Sequence, residues 1–299
     1  MQLVLTLIAG GEGGLTEDTP GRVADIAENL TDSKASAPDW LAPGIACDIG
    51  LEGDDLYGLR QSLHAELREE RFDSVLQPAE GRRKALLLAD MDSTIVTSET
   101  LDELADHAGI KDRIAAITER AMRGEIDFQG ALRERVSMLK GLSADALDRT
   151  LSGIELTPGA QTLVQTMRAN GAYTALVSGG FRFFTSRIAE RCGFHEDRAN
   201  DLIVEDGVLT GAVAEPILDK DSKLASLKEI SSARSIPLSL SMATGDGAND
   251  LPMIEAAGLG VAFRAKPAVE EAAPAAIRYG DLTALLYLQG YRRTEFVTG

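Results

Sequence analysis

Asp90 and Asp92 stand two residues apart directly after an apolar run, in LLLADMDST. A buried strand ending there aims both carboxylates into the following loop, where such groups can hold a hard cation, attack as a nucleophile or carry a proton. Two other apolar segments end on reactive groups in the same way. SGG follows YTALV and presents Ser178, Gly179 and Gly180, while GDGAND follows LSMAT and presents Asp246, Asn249 and Asp250. In open parallel sheets ligands bind at the carboxyl ends of strands, where the loops to the next helices converge. If the three strands are neighbours, their loops share one pocket.

Each loop alone also reads as a polar turn after a buried strand, and Asn249 alone as a helix cap. Their joint occurrence at successive strand ends is what points to chemistry. A calcium loop is rejected for DMDST, because Ile95 stands where the sixth-position glycine belongs and Leu101 where the bidentate Glu belongs. GGEGG at 10–14 lies between a strand and a helix but fails the nucleotide fingerprint, since Thr16 replaces the third glycine and no P-loop lysine follows; it reads as a plain turn. His64, His107 and His195 sit on no motif, which gives no support to a histidine phosphatase or a zinc site.

The elements that must position these loops follow from apolar periodicity. Residues 1–80 read as a small α/β unit: strand 2–8, helix 20–30, strand 44–51, helix 55–69 and a short strand 74–76, closed by a linker at 78–84. KALLLAD at 84–90 is the first strand of a second unit. From 100 to about 154 the pattern is helical, cut by Gly109, Gly124 and Gly141 into four short helices, with Thr100 and Glu103 forming a capping-box signal for the first. Beyond 155, apolar runs at 173–177, 238–244 and 258–263 alternate with helical segments such as 159–170 and 183–192, a βα repeat. The expected fold is therefore α/β: a Rossmann-like parallel sheet core over 81–97 and 155–299, a helical insertion over 98–154 and an N-terminal α/β domain over 1–80.

The 299 residues, 44% apolar and 26% charged, describe an ordinary soluble globular protein. The formal charge of −17 argues against phosphate-backbone contact with nucleic acid and against an anionic lipid surface. A small anion would then require a locally positive site. Cys47 and Cys192 have no ligand-type spacing and read as buried thiols in a reducing cytoplasm. The opening MQLVLTLIAG lacks a basic flank and is too short to span a bilayer, so it reads as a strand, and no other stretch approaches membrane-spanning length.

DMDST, VSGGF, the lysine-containing LDKDSKLASL and GDGAND together resemble the four motifs of the haloacid dehalogenase superfamily, in the right order. More narrowly, residues 84–288 resemble the phosphoserine phosphatases, and residues 1–80 are similar to a reduced form of the ACT-like domains that precede the catalytic domain in bacterial members. The resemblance implies a haloacid dehalogenase fold with a four-helix cap. It implies Asp90 as the nucleophile that forms an aspartyl-phosphate, and Asp92 as the group that protonates the leaving seryl oxygen and then deprotonates water.

A phosphomonoester dianion repels an attacking carboxylate, so a bridging divalent cation is expected, and hard oxygen ligands suit Mg²⁺. Asp90, Asp246 and the backbone carbonyl of Asp92 are the implied metal ligands, with Asp250 behind them. Ser178, Gly179, Gly180, Asn249 and a lysine are implied for the phosphoryl oxygens. Lys220 and Lys223 compete for the lysine role; Lys223 is preferred because the family's lysine opens a helix with an apolar residue four positions on, here Leu227. One departure is Thr244, where relatives often carry an aliphatic residue; a local hydrogen bond is expected for its hydroxyl.

Substrate choice is expected in the helical insertion. The resemblance puts Glu99 on a substrate ammonium, Arg135 on its carboxylate, and Met122 and Phe128 in the apolar lining. An acid and a guanidinium suit an amino-acid zwitterion. The expected activity is Mg²⁺-dependent hydrolysis of O-phospho-L-serine to L-serine and phosphate, the last step of the phosphorylated serine route, in a cytoplasmic protein. The alternatives are a phosphatase or phosphotransferase for another small phosphorylated amino acid, or a regulatory serine sensor. The expected partner is the small-molecule substrate, with a homodimer as the assembly to look for and neither nucleic acid nor membrane.

Overall fold

Strand β1 (Gln2–Ala9) is buried along almost its whole length, which requires cover on both faces of the sheet that contains it. The structure, a computed structural model, describes residues 1–31, 33–122 and 125–298, without the side chains of Met122 and Lys220. After β1 come α1 (Thr19–Thr31), β2 (Asp39–Ala42), β3 (Ala46–Glu52), α2 (Leu56–Glu66) and β4 (Phe72–Pro78). The strands form an antiparallel sheet in the order β2-β3-β1-β4, a βαββαβ split topology. Leu3, Leu5, Leu7 and Ala9 face Val23 and Ala27 of α1 and Leu59 and Leu63 of α2. Ile8, Leu41, Ala46 and Val75 instead join the core of the second unit. The period of two along each strand thus supplies two apolar faces.

Strand β2 was not expected. It is four residues long, with a bulge between Trp40 and Ala42, too short to show an alternation. The glycines at 10–14 do form a turn, with Gly14 N donating to Gly11 O, and Gly10 lies so close to the Tyr279 carbonyl that a Cβ would come within 2.8 Å of it.

Pro78, the first residue of the stretch expected as a linker, ends β4, and the rest has no regular structure, yet it is not loose. Arg82 donates from Nη1 and Nη2 to Asp48 on β3 (2.7 and 3.0 Å), from Nη2 to Thr6 Oγ1 and Tyr287 O, and from Nε to Leu288 O. Asp73 on β4 accepts the backbone N–H groups of Arg278, Tyr279 and Gly280. The two units are bonded to each other as well as packed.

The second unit opens with β5 (Leu86–Ala89), followed by four helices, α3 (Thr100–His107), α4 (Lys111–Met122), α5 (Phe128–Ser137) and α6 (Asp145–Gly153). The chain then resumes with α7 (Ala160–Ala169), β6 (Tyr173–Phe181), α8 (Arg182–Cys192) and β7 (Glu196–Asn200). A hairpin of β8 (Leu202–Glu205) and β9 (Val208–Val213) leads to α9 (Lys220–Ala233), β10 (Ser241–Gly245), α10 (Leu251–Ala256), β11 (Leu259–Phe263), α11 (Pro267–Ala272), β12 (Ala275–Ile277) and α12 (Ala284–Leu288). Six strands form one parallel sheet, ordered β12-β11-β10-β5-β6-β7. Leu87, Leu176 and Met242 face a layer containing Leu163, Ile188 and Leu285, while Leu86, Ala175 and Ala243 face Leu227, Ile230 and Met253. Both faces are covered, as a parallel sheet requires. No helix among the described residues is long and apolar enough to cross a membrane.

Three local expectations are corrected. Thr100 does not cap α3: it is the first helical residue, its preceding Glu99 makes no side-chain cap bond, and the Thr100 N–H is instead taken by Asp92 Oδ1 at 2.8 Å. The helix that carries Lys223 opens at Lys220, with Asp219 as its cap, so Lys223 sits one turn inside it. The β8–β9 hairpin was also missed, and its Asp206-Gly207 turn, at φ of +49° and +76°, is the left-handed pair that a two-residue hairpin favours. Backbone bonds from Gly141 N to Leu209 O and from Ala144 N to Gly207 O fasten this hairpin to the α5–α6 loop.

Candidate active site

Strands β10, β5 and β6 are consecutive in the sheet, so the three loaded strand ends do meet. Asp90 follows β5 directly and is anchored by its N–H to Thr244 O. The residue is 5% exposed, and its carboxylate lies with those of Asp246 and Asp250, each offering an oxygen within 4.8 Å of the others. Asp250, expected behind the ligands, is therefore part of the acid cluster itself.

Lys223 is set between two of these acids, with Nζ 2.6 Å from Asp90 Oδ1 and 2.5 Å from Asp250 Oδ1. Leu227, four residues on, is buried in the layer beneath the sheet and fixes the helix face that turns Lys223 inward. Lys220, its rival, lies outside the described side chains. Burial works against the Lys223 ammonium, but Asp90 and Asp250 outweigh it and hold its pKa above the ordinary lysine value. Burial and the Asp250 charge push Asp90 upward, with Lys223 opposing them. Asp246 is pushed up to about 6 by burial, then by Asp250 and Glu99. Asp250 Oδ2 also accepts from Gly247 N, which ties the GDGAND loop across itself. Asn249 is half-buried on the same loop, its Oδ1 next to Gly247.

Asp92 is not one of the three clustered acids and is bonded instead to β6. Its Oδ2 accepts from Ser178 Oγ at 3.3 Å, and Ser178 Oγ in turn accepts from Gly180 N at 2.8 Å. Burial, then the Glu99 charge, push Asp92 up to about 6, opposed by the Thr100 N–H. The turn that separates Asp90 from Asp92's partners holds Ser93 at a φ of +55°, a conformation that a non-glycine residue rarely adopts, and Ser93 Oγ donates to Glu99 Oε1 at 2.7 Å. The glycines beside Ser178 are needed for space: a Cβ on Gly180 would lie 2.9 Å from Asp92 Oδ2, and one on Gly179 would lie 3.1 Å from Phe128 Cζ. Phe128, the first residue of α5, is thus laid over the β6 loop.

Arg135 is about two turns further along α5, half-buried, with Nε donating to Ala131 O. Burial lowers its pKa, and the nearby charges of Asp102 and Glu99 counter the shift. Met122, as a side chain, lies outside the described residues. Among the predicted site residues, Asp90, Asp246, Asp250 and Lys223 form one cluster, and Asp92, Ser178, Gly180 and Phe128 adjoin it on the β6 side. Glu99 and Arg135 stand on the side of the helical insertion.

Two residues were missed. Lys266, after β11, adds a positive charge near Asp246, and its N–H lies 3.4 Å from Asp246 O. Asn200, at the end of β7, bonds to Gly179 O. Neither lies in a motif, and no spacing singles them out. The Thr244 hydroxyl, expected to find a local hydrogen bond, is buried without a partner among the described residues.

Residues 87–255 match the family model for haloacid dehalogenase-like hydrolases. A phosphoserine phosphatase from Saccharomyces cerevisiae is 39% identical over 308 residues, covering 98% of each chain. Among solved structures, a haloacid dehalogenase family hydrolase from Salmonella enterica serovar Typhi superposes with a TM-score of 0.86 at 29% identity, over 96% of this chain and 98% of that one. A phosphoserine phosphatase solved as a phospho-aspartyl intermediate analogue superposes with a TM-score of 0.64 at 40% identity, over 69% of this chain and 98% of that one. With acids, lysine and serine gathered at the ends of three adjacent parallel strands, the chain belongs to the haloacid dehalogenase-like hydrolases and, within them, to the phosphoserine phosphatases.

Proposed function

We propose that the protein hydrolyses O-phospho-L-serine to L-serine and phosphate in a Mg²⁺-dependent reaction through an aspartyl-phosphate on Asp90. The observation that carries this reading is the arrangement at Asp90: one carboxylate oxygen held by Lys223 at 2.6 Å, in a cluster with Asp246 and Asp250, beside the Ser178 loop. Three carboxylates this close repel one another, and their hard oxygens fit a divalent cation of the Mg²⁺ type. Asp90 and Asp246, with the Asp92 carbonyl and Asp250 nearby, would hold it. When bound, the cation supplies charge compensation between carboxylate and phosphate.

An Asp90 oxygen attacks phosphorus while the bond from phosphorus to the seryl oxygen breaks. Asp92 gives its proton to the departing seryl oxygen, and a pKa pushed up to about 6 leaves it able to exchange a proton near neutral pH. Water then attacks the aspartyl-phosphate, Asp92 takes the proton, and phosphate leaves with Asp90 regenerated. Lys223, Ser178 Oγ and the Gly179 and Gly180 backbone bind the phosphoryl oxygens, with Asn249 at the edge. Glu99 receives the substrate ammonium and Arg135 its carboxylate, over an apolar wall that includes Phe128. The four helices at 98–154 act as a cap that selects the substrate, and the βαββαβ topology of residues 1–80 supports an ACT-like domain. Two buried thiols fit a reducing cytoplasm.

The test is phosphate release from O-phospho-L-serine with and without Mg²⁺, alongside Asp90→Asn. No Mg²⁺-dependent release, or an unchanged rate in Asp90→Asn, ends this reading.

A further inference from the structure

Asn200 closes β7 at 1% exposure and belongs to none of the segments that carry the acids, Ser178 or Lys223. Its carboxamide is engaged at both ends. Nδ2 donates to Gly179 O at 2.9 Å and to Leu218 O at 3.2 Å, and Oδ1 accepts from Leu218 N at 2.7 Å.

The reason lies in the pairing of β6 with β7. The ladder runs in register to Val177↔Arg198 and resumes at Phe181↔Asn200, with a shift between them. Ser178 to Gly180 therefore bulge from the sheet, as strands do where a side chain must be re-aimed. Asn200 supplies a donor to the Gly179 carbonyl within that bulge, so a side chain does the work that the ladder does elsewhere. Leu218, held by the other contacts, lies two residues before α9, whose cap Asp219 precedes the turn bearing Lys223.

We propose that Asn200 is a positioning residue: its one carboxamide sets the spacing between the Ser178–Gly179 loop and the Lys223 helix, so that donors from both converge on the same phosphoryl group. This deepens the phosphatase reading above and rests on it. A packing role would require only volume, whereas this position uses a donor and an acceptor at once.

The test compares Asn200→Ala and Asn200→Asp with the parent chain. The second keeps the size and the acceptor for Leu218 N–H but turns a carboxylate oxygen towards two carbonyls. Ser231→Ala, which removes a partly buried hydrogen bond to Ile236 O at the far end of α9, is the stability control. The readouts are kcat and KM on O-phospho-L-serine, binding of inorganic phosphate by calorimetry, inhibition by L-serine, and Tm. Both Asn200 variants are expected to lose roughly 10- to 100-fold in kcat, because small misplacements of binding groups are costly. Phosphate binding should weaken in parallel while L-serine inhibition holds, and Ser231→Ala should lower Tm with kcat intact.

Parent-like kcat and phosphate binding in the variants overturns the proposal. So does an equal loss of L-serine inhibition, or failure of both variants to fold, which would make Asn200 a folding residue. A parent that releases no phosphate defeats the phosphatase reading instead, and phosphate binding still decides the role of Asn200.

Discussion

Lys223 and Asp90 meet at 2.6 Å across the sheet's carboxyl edge, and Asp250 holds the same ammonium from the other side at 2.5 Å. The lysine is the only described side-chain cation in ion-pair contact with this acid cluster. Lys223→Met should cut phosphate release by about 100- to 1,000-fold, the cost of removing a preorganised donor. In metal-free protein it should also lower stability by about 3 kcal/mol or more, since two buried carboxylates lose their partner. Steady-state kinetics and a thermal melt in chelator check both.

Because Asp90, Asp246 and Asp250 repel one another as they stand, Mg²⁺ should stabilise the folded chain. At about 100 times its Kd the gain is about 2.7 kcal/mol. Tm is expected to rise with Mg²⁺ and fall back with chelator, together with activity. Asp246→Asn should lose most of the rise, and a parent Tm indifferent to Mg²⁺ would contradict the cluster as a cation site.

Arg135 makes no ion pair among the described residues, although Asp102 and Glu99 lie near enough to influence it. If it receives the substrate carboxylate, Arg135→Ala should lose about 1.5–3 kcal/mol of binding, the range for hydrogen bonds to charged groups, on O-phospho-L-serine. O-Phosphoethanolamine, which lacks that carboxylate, should be turned over at a nearly unchanged rate. Equal losses on both substrates would remove Arg135 from that role.

Arg82 bridges Asp48 to the carbonyls that end α12, with both ion-pair partners largely buried. Arg82→Met strands the Asp48 carboxylate and should cost about 3–5 kcal/mol. Denaturant unfolding measures the loss. The folded fraction should retain its KM, because no site residue is touched.

Burial pushes the thiols of Cys47 and Cys192 up to about 12. A thiol with a raised pKa remains protonated until the pH nears that value, so both should resist iodoacetamide at pH 8 in the native protein. Both should react in urea, where burial is lost. Mass spectrometry of the two states reads the result.

The parts legible in the sequence share a physical cause. KALLLAD, YTALV and LSLSMAT are apolar runs ending on polar groups, and each contains a strand that delivers the expected side chain, although in the third Leu238–Leu240 form a 3-10 turn and the strand starts at Ser241. What escaped was local or long-range. β2 is too short for periodicity, although the Asp206-Gly207 pair of the missed hairpin was a usable turn signal. The Thr100–Glu103 spacing suggested a cap that Asp92, eight residues upstream, supplies through tertiary contact instead. Asn200 was invisible because its importance depends on a register shift between strands, which no single segment records.

The segment at 78–84 reads in the sequence as a linker. Ile8, Leu41, Ala46 and Val75 nevertheless share one apolar core with Leu87, Leu285 and Tyr287, and Asp73 and Arg82 bond across the junction. Strand β5, which delivers Asp90, is thus roofed through α12 by the N-terminal sheet. A substitution that loosens the first 80 residues should therefore loosen this shared core as well, and with it the strand that carries Asp90.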